Sequence, residues 1–217
     1  MTRDYQKGLA EALALAPVVP VMVIENVEDA VPLAKALVKG GLPVLEITLR
    51  TAKAMDCIRA IIAEVEGAIV GSGTVLTPEQ LRDSHRLGCK FAVSPGSTGR
   101  LLGAAEDYEI ALLPGGVTAS ECMALLEWGY AIQKFFPAEP AGGTAYLSAL
   151  ASPLPQIRFC PTGGITPEKA KDYLKLSNVI TVGGSWMAPK KLVEAKDWAA
   201  IERLAAEAAS LGRHGRA

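Results

Sequence analysis

The stretch "PVVPVMVIENVEDAVPLAKALVKGGLPVLEITL" (17–49) contains the repeating unit of the chain. An apolar run, "PVVPVMVI", is followed by "VEDAVPLAKALVKGG", with apolar residues at helical spacing and a Gly-Gly stop. A second apolar run, "PVLEITL", follows. Short apolar runs flanked by amphipathic segments read as strand, helix, strand. With a helix between them the two strands run parallel, joined by a right-handed crossover.

The same unit recurs along the chain. Further candidate strands are "AIVGSG", "KFAVS", "IALLP", "AIQKFF", "IRFCPT" and "VITVGGS", which makes eight in all. The segments "TAKAMDCIRAIIAEVE", "TPEQLRDSHRLG" and "SECMALLEWG" carry helical spacing between them. Eight units closing on themselves predict an α/β fold, a (β/α)8 TIM barrel, preceded by an additional N-terminal helix over about 2–15. A doubly wound open sheet is the alternative. Polar residues recur at many strand C-termini, where barrel sites are built, rather than near one switch point, and this favours the barrel. No linker or charge block divides residues 1–217, so a single domain is expected, with 211–217 a frayed basic tail.

Composition narrows the function. Half of the 217 residues are hydrophobic and the formal net charge is −1, which is unlike the basic footprint of a nucleic-acid binder. The run "ALALAPVVPVMVI" (12–24) is interrupted by Pro17 and Pro20 and is too short to span a bilayer as a helix. It could imitate a signal-peptide core, but Asp4 and Glu11 lie inside the segment and a helix start follows, so a cytoplasmic protein is expected. Cys57, Cys89, Cys122 and Cys160 are widely spaced, which fits reduced, buried thiols. With only His85 and His214 besides, neither a metal nor a cofactor is expected.

One charge interrupts the apolar pattern. In "AIQKFFPAEP" (131–140) Lys134 stands where a core side chain belongs. Either its stem lies along apolar surface with the head in water, or it is held in a pocket to act as a neutral amine. In "PVLEITLRT" the alternation turns Glu46, Thr48 and Arg50 to one face and Leu45, Ile47 and Leu49 to the other. On a barrel, Glu46 and Arg50 share a mouth with Lys134. They read either as a buried ion pair or as a proton-transfer carboxylate beside a carboxylate clamp. Burial beside Phe135 and Phe136, with Arg50 near, would disfavour the ammonium, while Glu46 would favour it.

The remaining mouth residues come from the other strand ends. "PTGGITPEKA" (161–170) and "TVGGSWMAP" (181–189) place glycine pairs, with Thr162 and Ser185, after strands seven and eight. There, bare backbone N–H groups can cradle a phosphate. "GSGTVLTPEQ" (71–80) brings Thr74 to the mouth and "VSPG" (93–96) brings Ser94 and Pro95. Thr77, and Thr118 or Ser120, read as helix caps. Glu139 either pairs locally or joins the site.

Together "EITLR", "GSGTVL", "SPG", "LPGGVTASE", "KFFPAE", "FCPTGGI" and "VGGSW" resemble the 2-keto-3-deoxy-6-phosphogluconate aldolases of the Entner–Doudoroff pathway. The resemblance runs from "PVVPVMVI" almost to the C-terminal helix. It implies a metal-independent class I aldolase on a (β/α)8 barrel, usually a homotrimer, that cleaves its substrate to pyruvate and glyceraldehyde 3-phosphate. Lys134 corresponds to the Schiff-base lysine and Glu46 to the general acid/base. Arg50, Thr74 and Pro95 match the pyruvate carboxylate site, and Phe136 the wall beside the imine. Thr162, Gly163, Gly164, Gly184 and Ser185 match the phosphate loops. Within the family 4-hydroxy-2-oxoglutarate is the alternative substrate. Outside it, the alternative is a barrel that binds or isomerises a sugar phosphate without cleaving it.

Overall fold

Each apolar run of the repeat forms a strand and each amphipathic segment a helix in the computed structural model, which describes residues 4–212. The strands are β1 Val18–Met22, β2 Val44–Thr48, β3 Ile69–Gly73, β4 Phe91–Val93, β5 Ala111–Leu113, β6 Ile132–Phe135, β7 Arg158–Pro161 and β8 Val182–Gly184. The helices are α1 Asp4–Ala14, α2 Val27–Lys39, α3 Ala54–Glu64, α4 Pro78–Leu87, α5 Gly99–Asp107, α6 Ala119–Glu127, α7 Gly143–Ala151, α8 Pro167–Leu174, α9 Lys190–Glu194 and α10 Trp198–Ser210. Residues 2 and 3 of the expected first helix, and 213–217 of the expected tail, lie outside the described residues. Among the described residues no helix is long and apolar enough to cross a membrane.

Local chemistry sets the helix ends. Thr77 accepts from the Gln80 N–H at 3.2 Å with Pro78 in the first turn, and Gly88, at φ 90°, stops the helix in the left-handed region. Of the two expected caps before α6 it is Thr118 that serves, in a capping box with Glu121.

The sheet is parallel throughout. Six strands pair in the order β5-β4-β3-β2-β1-β8, and β6 pairs with β7 separately. Isolated bridges cross the two gaps, Gly115 to Lys134 on one side and Phe159 to Val179 and Thr162 to Gly183 on the other. The result is an α/β fold with a curled parallel sheet.

Strand alternation divides the core in two. Leu45, Ile47, Leu112 and Phe159 face outward against helices. Val19, Val44, Phe91, Val93, Ala111 and Leu113 form a separate inner cluster with Leu9 and Leu13 of α1. Because Val44, Phe91 and Ala111 stand at or next to the first positions of their strands, α1 covers the N-terminal end of the inner face. Full burial of each α1 leucine contributes about 1.5–3 kcal/mol. Glu46 shares the face of Val44 one pleat further on, so on β2 the inner face turns from apolar to charged toward the C-terminal end of the strand.

Candidate functional site

Lys134 is held by its own backbone. Its N–H donates to the Pro114 carbonyl at 2.8 Å and its carbonyl accepts from the Gly116 N–H at 3.0 Å. These bonds fix β6 beside the end of β5 and aim the side chain inward, on the face of Ile132, which packs against the inner cluster. Lys134 is only 3% exposed, and its Nζ lies 3.3 Å from Glu46 Oε1 and 5.3 Å from the centroid of the Phe136 ring. Its stem does not carry the ammonium to water, so the snorkelling alternative is overturned.

Glu46 is equally buried and reaches the lysine from β2. Space for it comes from β3, where Gly73 stands beside it with no side chain. Two opposite charges in a closed, mostly apolar layer contribute little net stability, because each loses its hydration. Such a pair is a better marker of chemistry than of folding. Cys160, which pairs in register with Lys134, lies in the same layer. Burial first, and then the Glu46 charge, push its thiol up to about 12, with Lys134 opposing. It therefore stays a neutral neighbour.

The ion pair weighed for Glu46 and Arg50 does not form: Arg50 is exposed, and Glu46 pairs with Lys134 instead. Arg50 Nε donates to Thr74 Oγ1 at 3.1 Å. Thr74 occupies the left-handed region at φ 57°, a conformation that ordinary residues hold mainly where the surroundings require it. Thr48, on the face of Glu46, is spent on structure, its hydroxyl donating to the Met22 carbonyl at 2.9 Å. Pro95 reaches the lysine through one intermediary: Gly115 both bridges to Lys134 and packs on the Pro95 carbonyl.

The two glycine loops come together, since Thr162 bridges to Gly183 across β7 and β8. Gly163 and Gly164 both have positive φ, 105° and 76°, where a side chain would be strained. A Cβ on Gly163 would stand 3.2 Å from the Phe136 ring. Thr162 is buried, Gly184 packs on the Trp186 ring, and Ser185 is exposed at a cleft shared with Asn26 and Lys190. Glu139, left open by the sequence, pairs locally. It accepts hydrogen bonds from Lys169 Nζ and, at 2.6 Å, from the Tyr173 hydroxyl, and these hold its carboxyl below the usual range.

Some contributors escape sequence reasoning. Gly73, Gly115 and Gly183 matter for the side chains and carbonyls they leave room for, which depends on strand register. The signal available was the glycine alternation in "GSG", too common at strand ends to be read alone.

A buried lysine beside a carboxylate, with paired glycine loops on neighbouring strand ends, can be compared with known proteins. The KDPG and KHG aldolase family model matches residues 9–204. The chain belongs to that family. The KHG/KDPG aldolase of Escherichia coli K12 is 50% identical over 206 residues, 95% of this chain and 97% of the relative. The 2-keto-3-deoxy-6-phosphogluconate aldolase of Zymomonas mobilis ZM4, solved with 3-phosphoglycerate, superposes with TM-score 0.92 at 47% identity, covering 98% of this chain and 100% of that one. The KDPG aldolase of Legionella pneumophila was solved with pyruvate captured as a covalent carbinolamine intermediate. It superposes with TM-score 0.90 at 44% identity, covering 93% and 98%. These KDPG and KHG aldolase relatives span this chain almost end to end, so the likeness includes all the strands that bear the site.

Proposed function

We propose that the chain is a class I aldolase that cleaves 2-keto-3-deoxy-6-phosphogluconate reversibly to pyruvate and glyceraldehyde 3-phosphate. The observation that carries this reading is the buried pair, Lys134 Nζ 3.3 Å from Glu46 Oε1. The ammonium must lose a proton before it can attack, and Glu46 is the base within reach. The free amine adds to the C2 ketone, and Glu46 returns its proton to the carbinolamine hydroxyl, which leaves as water and gives a protonated imine. That imine draws the C3–C4 bonding pair into an enamine while Glu46 takes the C4 hydroxyl proton, through water, and the aldehyde departs. The proton returns to C3, and hydrolysis of the imine frees pyruvate and Lys134. Arg50 and Thr74, with Pro95, bind the pyruvate carboxylate, and Phe136 walls the imine. Thr162, Gly163, Gly164, Gly184 and Ser185 hold the phosphate.

The name of the Escherichia coli relative favours a second activity, cleavage of 4-hydroxy-2-oxoglutarate to pyruvate and glyoxylate by the same imine. The adjacent glycine loops favour the phosphorylated substrate. The bridges at Gly115–Lys134 and Thr162–Gly183 support reading the two sheets as one closed (β/α)8 barrel. Four free, buried cysteines support a reducing, cytoplasmic setting, and the family resemblance supports a homotrimer.

The test is trapping with pyruvate and borohydride followed by mass spectrometry. An adduct on the Lys134 peptide is expected. Its absence from folded protein would sink the imine mechanism and leave a barrel that binds or isomerises sugar phosphates.

A further inference from the structure

Glu139 lies outside the reacting layer, yet it touches both glycines of the loop that follows β7. Its backbone N–H donates to the Gly163 carbonyl at 3.1 Å, and the preceding Ala138 N–H donates to the Thr162 carbonyl at 2.8 Å. Gly164 packs against its side chain so closely that a Cβ there would stand 2.9 Å from Glu139 Cγ. The carboxylate is held from the far side by Lys169 and by Tyr173, both on α8, the helix that the loop leads into. Tyr173 is fully buried, so one anchor of this clasp is fixed in the core. On its inner side the same loop rests against Phe136, whose ring faces the lysine amine.

We infer that Glu139 is a positioning residue for the phosphate end of the substrate: clasped by Lys169 and Tyr173, it sets the Gly163–Gly164 loop at a fixed distance from Phe136 and the amine of Lys134. This role rests on the reading of that loop as a phosphate cradle. A substrate joined at both ends, by imine and by phosphate, needs the two sites at one separation, and a loop free to shift would lose binding at the phosphate end first. The polypeptide before the loop and the helix after it are tied together by one side chain, which is what such a constraint requires.

The decisive variant is Glu139→Ala with Lys169→Ala and Tyr173→Phe, which leaves neither a released ammonium beside the loop nor a buried hydroxyl without an acceptor. The expected result is a KM for the phosphorylated substrate raised about tenfold, equivalent to about 1.4 kcal/mol, with pyruvate trapping on Lys134 changed less than about twofold. The dissociation constant for inorganic phosphate, titrated by NMR, should rise by the same factor. Glu139→Gln with Lys169→Gln keeps an acceptor for Tyr173 while removing the ion pair; should the triple variant not fold, it is expected to give a smaller change of the same pattern. Equal losses for phosphorylated substrate and for pyruvate would overturn the inference, as would an unchanged phosphate constant in a folded variant. Failure of wild-type protein to form the pyruvate adduct would overturn the aldolase reading alone, because the phosphate titration still tests the clasp.

Discussion

Gly73→Ala tests the proton-transfer role proposed for Glu46 with a single methyl. The backbone of Gly73 lies in β3 outside the left-handed region, so alanine is allowed there. Replacing glycine by alanine at such a compatible position is by itself worth roughly 0.4–1 kcal/mol, through the lost freedom of the unfolded chain. Its Cβ, however, would stand 2.6 Å from Glu46 Cγ and 2.8 Å from Glu46 Cδ. Carbon atoms prefer separations of about 3.5–4.0 Å, so the carboxylate must move by about 1 Å. That shift breaks the 3.3 Å approach to Lys134. Overpacking costs about 1–3 kcal/mol of stability, and the backbone gain offsets part of it. Misplacing a reacting group by about 1 Å costs about 100-fold in rate, at the low end of what a general acid/base supplies. The expected outcome is therefore a kcat for cleavage reduced about 100-fold in a folded protein, with trapping of pyruvate on Lys134 reduced much less. Pyruvate release, borohydride trapping and urea denaturation read the three quantities. Gly103→Ala in α5, where a Cβ meets nothing within 4 Å, is the control and should leave turnover unchanged. A Gly73→Ala enzyme that turns over within about twofold of wild type would refute the placement of Glu46 as the proton-transfer group.

Two further outcomes follow from buried groups. Lys134→Met keeps an apolar stem of similar length but strands the Glu46 carboxylate, so a loss of about 3–5 kcal/mol is expected in urea denaturation. Adding Glu46→Gln should restore at least about 1 kcal/mol, and strictly additive losses would show that the pair is not coupled. Burial pushes the thiols of Cys89 and Cys160 up to about 12 and that of Cys122 up to about 11. A thiol reagent at pH 8 should therefore label them only as the protein unfolds, and fast labelling of native protein would contradict their burial. Because these folded-state values lie above the unfolded ones, their contribution to stability is intact below about pH 8.5. It declines as pH rises toward the folded values, by about 1.4 kcal/mol per pH unit for each thiol while only the unfolded state titrates.

The sequence makes the layered order of the fold legible because period-two and helical patterns each leave a record in residue types. Thr77, Gly88 and Thr118 mark helix ends by chemistry that acts within a few residues. Lys134 was legible as an anomaly for a related reason: a charge inside an apolar strand has few explanations. The partner of Glu46 was harder to read. Arg50 and Glu46 lie on the same face of one chain segment, whereas Lys134 meets Glu46 from 88 positions away, and no local rule encodes that approach. The Glu139 clasp was closed to the sequence for a similar reason, since Tyr173 and Lys169 reach it from a helix about thirty positions on. Pairing between β5 and β6, reduced to one bridge, was no more predictable, because strand period does not fix how many residues two strands share.

The position of the Lys134–Glu46 pair argues that this layer is kept for chemistry. The interior around it is filled by Val44, Phe91, Val93 and Leu113, and extending that packing would have been simple. Replacing a buried ion pair by apolar residues of similar volume is often neutral, or stabilising by about 1–4 kcal/mol. Folding alone gives no reason to prefer a lysine and a glutamate there. The surroundings make the preference more pointed, because Gly73 gives up a side chain to admit the carboxylate and Gly115 gives up one to lie against the carbonyl of Pro95. Glycine at either strand end also forgoes the packing and backbone restriction of a larger residue. Three departures from the best-packed core thus meet at one amine. On the proposed function, the common advantage they offer is a proton acceptor held within reach of a nucleophile and away from bulk water.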